Sequence, residues 1–246
     1  MHNEVHVVSF RHGDHICLFY RDEQEQMAIA APFVRIGLLG GERCLCVLPR
    51  LQSELLLAAL EVSGMNPDEE ISRGALVLAT PEEAYLKGGK FERAEMAKLL
   101  DAEMREAIAS GFSGFRGTGD LSWAAHDTGA CGQMPEYEAT LDRYYPGKQS
   151  LGICMYDMRL FNSGQFEILM KAHRLAILHP SEDKRAIRIR KGNMFGDVLF
   201  DRTHPSSLFH FVIQKDDSAS VLMSGQDSSL TGAMKAVENV LARSYG

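Results

Sequence analysis

The sequence contains no long apolar segment, no basic block and no cysteine framework, and each absence excludes a class of protein. No apolar run reaches the ~18–20 residues of a membrane-spanning helix, and residues 1–15 carry histidines and charges where a signal peptide has an apolar core. With a formal net charge of −7 and no cluster of Lys and Arg, the chain is unsuited to binding phosphate backbones or an anionic membrane. Its five cysteines lie mainly in apolar runs, which is typical of reduced core thiols. We therefore expect a cytoplasmic protein that contacts neither nucleic acid nor membrane directly.

The chain also lacks the groups that carry nucleotide and nucleophile chemistry. Residues 15–50 have the outline of the opening unit of a RecA-like ATPase, but the turn at 21–26 reads Arg-Asp-Glu-Gln-Glu-Gln. A phosphate loop has glycines and a Gly-Lys-Ser/Thr there, because a triphosphate needs converging N–H groups and a lysine, and the carboxylates of 21–26 would repel it. There is no Gly-x-Ser-x-Gly elbow and no cysteine in an activating context with histidine. The sequence therefore predicts no cofactor and no catalytic residue.

Strand-like apolar segments alternate with amphipathic segments of helical period over most of the chain. This alternation predicts an α/β fold with an open, mainly parallel sheet and helices on both faces. The predicted strands are 15–20, 44–48, 75–80, 112–116 and 150–156. The predicted helices are 22–39, which should kink or break at Pro32, 51–63, 91–110, 135–145 and 163–178.

The pattern changes after Pro180, where a charged connector at 181–185 leads into short strand-like segments separated by turns. These segments are 186–190, 197–200, 208–214 and 220–223, and a last amphipathic helix is predicted at 228–243. We therefore divide the chain into residues 1–180 and 181–246. The second part is interpreted either as a small α+β module or as strands that extend the main sheet.

Polar and aromatic side chains follow the predicted strands, and in open α/β sheets the carboxyl ends of the strands form the ligand cleft. The densest group is 115–123, Phe-Arg-Gly-Thr-Gly-Asp-Leu-Ser-Trp, whose glycines permit close approach of the backbone. Arg116 can bind an anionic group, Asp120 can act as acceptor or base, and Trp123 can form an apolar wall. The alternative is an Arg116–Asp120 ion pair that braces a loop, with Trp123 in the core.

Histidines and cysteines do not form a metal-ligand pattern in the sequence. His12 and His15 are three residues apart beside a strand rather than on one helical face, and no Cys-x-x-Cys pair accompanies them. The cysteines at 17, 44, 46 and 154 lie in predicted strands, where small buried residues are expected. We therefore predict no metal site and interpret His15 as a hydrogen-bonded residue at the entry of its strand.

Several phrases occur in an order that resembles the MEDS family, the sensory domain of regulators from methanogens and methylotrophs. The phrases are HICLFYRDEQEQ, PFVRIGLLGGERCLCVLP, YLKGGKF, FRGTGDLSWA, EYEATLD, ICMYDMRLF and HP. The resemblance covers about residues 12–180 and implies a RecA/KaiC-like fold that has lost its phosphate loop and senses a small organic compound such as a hydrocarbon derivative. The positions that match the family are His15, Tyr20, Arg116, Asp120, Trp123, Tyr137, Glu138, Tyr156, Asp157 and His179.

The residue pattern and the resemblance together predict a non-enzymatic sensory protein that binds a small organic molecule in the cleft and passes a conformational change to a partner. Family proteins often carry a histidine kinase or DNA-binding segment, and this chain shows neither, so a partner histidine kinase or regulator, or the part 181–246, is expected to carry the output. A homodimer is a further candidate assembly. Two alternatives stay open: an enzyme that uses the same cleft with Asp120 or His15 as base, and a ligand-free docking domain. The candidate ligand-binding residues are His15, Tyr20, Arg116, Asp120, Trp123, Glu138, Tyr156 and Asp157.

Overall fold

The structure, a computed structural model, describes residues 10–162, 165, 168–169 and 172–173, and beyond these the backbone of five strands. Packing divides the chain into two units. The first holds Tyr20–Ala172 and the described residues up to His15, and the second holds Ile16–Phe19 and the described residues from His173 onward. The predicted helix at 228–243 and the family position His179 lie outside the described residues.

Two sheets are present in the described part of the chain. The first has the strand order β3-β2-β4-β5-β1-β6, and the pairings that its register gives are parallel. Its strands are β1 (His15–Tyr20), β2 (Arg43–Val47), β3 (Leu76–Ala79), β4 (Phe115–Asp120), β5 (Ser150–Asp157) and β6 (Leu175–Leu178). The second is an antiparallel meander of β7 (Arg185–Lys191), β8 (Met194–Phe200), β9 (Phe209–Lys215) and β10 (Ser218–Asp227).

Helices cover both faces of the first sheet. They are α1 (Glu23–Leu39), α2 (Arg50–Val62), α3 (Pro67–Ser72), α4 (Pro81–Ala84), α5 (Arg93–Ala109) and α6 (Thr128–Tyr144). Because side chains alternate along a strand, β4 contacts a different helix on each face: Arg116 reaches the carbonyl of Phe33 in α1, and Gly117 lies beside Leu100 of α5. The predicted α/β class is therefore confirmed.

Helix α1 begins and ends where its sequence provides caps. The Asp22 carboxylate accepts a hydrogen bond from the Glu25 N–H, which satisfies one of the free donors of the first turn. At the other end the Gly40 N–H donates to the Ile36 carbonyl, and Gly41 adopts a φ of 73° that glycine tolerates. A single helix continues through Pro32, so the predicted break is absent.

Three predicted boundaries are corrected by the structure. The fourth strand is Phe115–Asp120 rather than 112–116, so the glycines of this segment belong to a strand and not to a turn. The helix predicted at 163–178 is wrong over its last turn, because Leu175–Leu178 is a strand paired with β1. Helix α6 begins at Thr128 rather than 135, since the Asp127 side chain caps it by accepting from the Ala130 N–H.

Among the described residues, none of the helices combines the length and apolarity that crossing a membrane requires. This agrees with the absence of a long apolar run in the sequence.

Candidate ligand-binding site

The carboxyl edge of the sheet carries a buried hydrogen-bond network centred on Asp120, the last residue of β4. Its Oδ2 accepts from Tyr20 Oη at 2.5 Å and from Gln26 Nε2 at 2.8 Å, and its Oδ1 accepts from the Ser122 N–H at 2.8 Å. Burial raises the pKa of Asp120, although these hydrogen bonds act in the opposite direction. Burial together with the neighbouring carboxyl also raises the pKa of Tyr20, whose hydroxyl therefore stays a donor. Both oxygens of Asp120 are thus engaged by the chain itself.

Asp157 joins this network from the end of β5. Its N–H donates to Ser122 Oγ at 2.8 Å, and its carboxylate accepts from Arg159 Nε at 2.9 Å. Arg159 also approaches Glu23 at 3.5 Å, at the start of α1. The predicted residues Tyr20, Asp120 and Asp157 therefore lie together at the carboxyl edge, where they are paired with one another or with neighbours.

Replacing Asp120 by asparagine is expected to change how stability depends on pH. The pKa of Asp120 in the folded protein lies above its ordinary value of 3.8, so its stabilising contribution is fully present below that pH and is lost as the pH rises through the raised pKa. The variant has no carboxyl group to titrate at this position. Urea denaturation from acid to neutral pH should therefore show the free energy of unfolding of the wild type falling relative to that of D120N, and a difference that stays constant would contradict the raised pKa.

A second polar cluster lies between the sheet and helix α6. His15 Nδ1 is 2.9 Å from Asp142 Oδ1, and His15 Nε2 is 3.1 Å from Glu138 Oε2 and 3.4 Å from Cys154 Sγ. Tyr156 donates its hydroxyl to the other oxygen of Glu138. Burial by itself lowers the pKa of His15, but the hydrogen bonds to the two carboxylates outweigh it and raise the pKa. The predicted residues His15, Glu138 and Tyr156 therefore meet here and not at the carboxyl edge.

Arg116 lies near the amino end of β4, far along the strand from the predicted rim. Its Nε donates to Glu42 Oε2 at 2.7 Å and its Nη1 to the Phe33 carbonyl at 2.8 Å, while the guanidinium carbon lies 4.6 Å from the centre of the Phe33 ring. The alternative of an Arg116–Asp120 ion pair is wrong, because three strand residues lie between the two positions and Arg116 pairs with Glu42 instead. Arg116 is therefore buried, and its guanidinium contacts the Glu42 carboxylate, the Phe33 carbonyl and the Phe33 ring.

Trp123, the only tryptophan of the chain, belongs to an aromatic cluster. Its ring stacks on Tyr85 with centroids 5.6 Å apart and packs against Phe91 at 5.5 Å. Phe91 in turn meets Tyr137 edge to face at 5.3 Å. Trp123 is partly exposed, whereas Tyr85, Phe91 and Tyr137 are buried. Trp123 therefore packs against aromatic residues that the sequence did not connect with it, and its role as an apolar wall of a ligand site stays a prediction.

A cavity lies behind this aromatic cluster, between the sheet and helices α5 and α6. Its lining combines aliphatic side chains with Tyr85, Tyr137, Tyr145 and Cys154. It leaves about 20 Å³ for the centre of a water molecule, which is room for roughly one such molecule. Burial raises the pKa of all three tyrosines well above the ordinary value, so their hydroxyls stay protonated.

Glycines in two neighbouring strands form the floor of this region. A Cβ atom at Gly119 would lie 1.9 Å from Tyr85 Oη, and one at Gly152 would lie 2.2 Å from Tyr145 Oη. A side chain at either position would therefore displace a tyrosine that lines the cavity. Sequence reasoning missed this arrangement, although a glycine inside a strand pattern is a signal that something approaches the backbone closely.

The eight predicted residues thus lie in four places rather than in one cleft. Three lie at the carboxyl edge, three lie under α6, Arg116 lies near the amino end of β4, and Trp123 lies in the aromatic cluster. Two of these places adjoin the cavity, because the His15 ring stacks on Tyr145 and the Trp123 ring stacks on Tyr85, each with centroids 5.6 Å apart, and both tyrosines line the cavity.

Comparison with known proteins identifies the family. The protein-family model described as MEDS, the methanogen/methylotroph DcmR sensory domain, matches residues 14–174 of the chain. The chain belongs to the MEDS family. The resemblance expected from the sequence phrases is confirmed, and the family is that of a sensory domain.

A curated relative of this MEDS protein is the transcriptional repressor DcmR of Methylorubrum extorquens. The two are 26% identical over 184 residues, which cover 73% of this chain and 65% of the repressor. The match therefore spans slightly less than two thirds of the repressor's length.

Solved structures with a similar backbone include a KaiC-like protein of Pyrococcus horikoshii OT3 and the flagellar accessory protein FlaH of Methanocaldococcus jannaschii. They are 11% and 10% identical to this MEDS protein, with TM-scores of 0.47 and 0.46. Each comparison covers 87% of this chain and 91% of the other.

Proposed function

We propose that this chain is the sensory part of a transcriptional regulator and that it binds a small organic molecule in the cavity between the sheet and helices α5 and α6. The observation that carries the proposal is the lining of the cavity. Glycine backbone, aliphatic side chains and three tyrosines whose hydroxyls stay protonated line it. Apolar walls with a few placed polar groups are what small-molecule sites in proteins use.

The lining and size of the cavity favour a particular ligand class. Leu100, Leu141 and Ile153 offer apolar contact, and the tyrosine hydroxyls can donate to a single oxygen, nitrogen or halogen atom. A charged ligand would have to leave water without a buried partner of opposite charge, which is costly. The ligand we propose is therefore a neutral compound of a few non-hydrogen atoms, such as a short alcohol, ketone or other hydrocarbon derivative. Its binding must displace a lining side chain, because the cavity itself has room for only about one water molecule.

The path from cavity to output begins at Tyr145. This residue lies over Gly152 and stacks on His15, whose ring contacts Asp142 and Glu138 of α6. A ligand that displaces the Tyr145 ring would therefore shift α6 relative to β5. We propose that this shift is passed to a partner protein or to the part 181–246. The predicted residues His15, Glu138 and Tyr156 then support the site without touching the ligand.

The other predicted positions have supporting roles in this proposal. Tyr20, Asp120 and Asp157 brace the carboxyl edge through their own hydrogen bonds. The turn at 21–26 is satisfied internally, because Asp22 and Glu25 accept N–H groups from the same turn. An internally satisfied turn with carboxylates supports the loss of phosphate binding, which thermal-shift measurements with ATP and ADP would check.

The fluorescence of Trp123 should report the ligand, because its ring stacks on Tyr85 at the cavity wall. Titration with short-chain alcohols, ketones and haloalkanes should produce a saturable change in emission for at least one compound. L100F should abolish the response, since Leu100 lines the cavity and is 6% exposed, and filling the space leaves no room for the ligand.

The matched control is L51F, which makes the same chemical change at a residue that is 62% exposed in α2 and should leave the titration unchanged. Y137F adds no volume and should weaken the response to alcohols more than the response to apolar compounds. A saturable response that L100F retains, with folding verified by circular dichroism, would place the ligand elsewhere.

A further inference from the structure

Three side chains of the types that bind metal ions come together beside the cavity. The Nε2 atom of His15 lies 3.1 Å from Glu138 Oε2 and 3.4 Å from Cys154 Sγ, and one ligand atom of each residue lies within 4.8 Å of the others. The three residues are 3%, 0% and 6% exposed. A fully buried carboxylate such as that of Glu138 is uncommon in a protein core unless it is paired.

The three ligand atoms come from separate, rigid elements. His15 begins β1, Cys154 lies within β5 and Glu138 lies on α6. Neighbouring groups orient two of them: Asp142 Oδ1 is 2.9 Å from His15 Nδ1, which leaves Nε2 directed at the cluster, and Tyr156 occupies the other oxygen of Glu138. A carboxylate behind a histidine and a hydrogen bond to the far oxygen of a carboxylate are the supports that metal ligands use.

The spacing of the atoms suits a tetrahedral ion. Zinc bonds of ~2.0–2.1 Å to nitrogen or oxygen and ~2.3 Å to sulfur place tetrahedral ligand atoms roughly 3.3–3.6 Å apart. The observed separations of 3.1 and 3.4 Å from His15 Nε2 differ from these values by only a few tenths of an ångström, and the Glu138 and Cys154 ligand atoms lie within 4.8 Å of each other. The charges also balance, because a thiolate on Cys154 and a carboxylate on Glu138 neutralise a divalent ion and His15 binds it neutral.

We propose that His15, Glu138 and Cys154 bind a divalent transition metal ion, with zinc the preferred metal. The mixed ligand set of imidazole, carboxylate and thiolate favours zinc or cobalt over magnesium and calcium, which require oxygen ligands. Metal binding requires Cys154 as the thiolate and His15 as the neutral imidazole, so proton release is expected to accompany it. Because Cys154 also lines the cavity, the ion lies at the wall of the proposed ligand site.

This inference differs from the sequence-based prediction of no metal site for a physical reason. The sequence offered His12 and His15 as near neighbours, whereas the cluster joins His15 to two residues more than a hundred positions away. Only the packing of α6 on β1 and β5 brings the three groups together.

Cobalt spectroscopy tests the site directly. The full chain, freed of metal with EDTA and titrated with Co²⁺, should bind one ion and develop a thiolate-to-cobalt charge-transfer band with the visible bands of a tetrahedral site. Addition of Zn²⁺ should abolish these bands by displacement. C154A and C154S should lose the charge-transfer band. D142N should weaken metal binding by roughly 10–100-fold, because it removes the carboxylate charge behind His15 and leaves the three proposed ligands in place.

The control is C46A, which removes another buried strand cysteine and should keep both bands and stoichiometry. A folded wild-type protein without the charge-transfer band, or a band that C154S retains, would overturn the proposal. These outcomes are independent of the ligand titration followed by Trp123, so failure of the metal site and failure of the cavity site are distinguishable.

Discussion

Replacing Arg116 by methionine is expected to lower the free energy of unfolding by about 3–5 kcal/mol, because it removes the arginine that pairs with the buried Glu42 carboxylate and leaves that carboxylate with His12 at 3.3 Å. The Glu42 side chain is 10% exposed and accepts two hydrogen bonds from Arg116, and the Phe33 carbonyl accepts a third. Methionine fills much of the space but donates to none of them. Urea denaturation monitored by circular dichroism measures the loss directly.

Two further variants separate the ion pair from simple packing. The double variant R116M/E42L removes both charges and should recover much of the lost stability, since a buried pair replaced by apolar residues is often neutral. The control R73M breaks the Arg73–Glu70 pair, whose arginine side chain is 42% exposed, and should cost less than about 1 kcal/mol. Equal losses in R116M and R73M would show that the buried position confers no special cost.

Replacing Gly119 by alanine is expected to destabilise the protein by roughly 1–3 kcal/mol, because the added methyl group overlaps a buried side chain. Its Cβ would lie 1.9 Å from Tyr85 Oη and 3.2 Å from Tyr85 Cζ. The tyrosine cannot retreat freely, since its ring stacks on Trp123 and is 6% exposed. Thermal and urea unfolding should both show the loss, and the emission of Trp123 should shift as Tyr85 moves.

The atom responsible for the clash can be removed separately. Y85F deletes the hydroxyl oxygen and leaves only the 3.2 Å contact, so the double variant G119A/Y85F should be more stable than the sum of the single changes predicts. The control G132A places a methyl group in open space on α6 and should raise stability by up to about 1 kcal/mol through helix propensity. Simple additivity of G119A and Y85F would contradict the assigned contact.

Local sequence patterns predicted most of the fold because the spacing of apolar residues reflects which side chains are buried. Strands such as β1 and β5 are apolar along nearly their whole length, and both are buried on every residue, which is the signature of a sheet covered on both faces. The helix boundaries at Asp22 and Gly40 followed from capping chemistry. The alternation of strands and helices in turn favours a parallel sheet with helices packed on its faces.

The strand 115–120 shows where this reasoning stops. Two glycines with a threonine between them resemble a turn, because glycine has low strand propensity and suits tight backbone bends. In the structure the missing side chains make room for the Tyr85 hydroxyl and, next door at Gly152, for that of Tyr145. The sequence-based prediction ended the fourth strand at residue 116, although the strand runs from Phe115 to Asp120. It therefore placed Arg116 at the carboxyl end of the sheet, whereas Arg116 lies near the amino end of β4.

Sequence alone determined the class of fold, the caps of α1, the lack of a Gly-Lys-Ser/Thr at 21–26 and the family, since each of these depends on residues close together along the chain. Tertiary structure decided the partners: Glu42 for Arg116, Glu138 and Cys154 for His15, and Tyr85 for Trp123. These pairs join positions far apart in sequence, and charge or aromatic character does not say which of many distant residues a side chain will meet. The cavity and the candidate metal ligands exist only through such pairings, so the proposed sensing chemistry could be located only once the chain was folded.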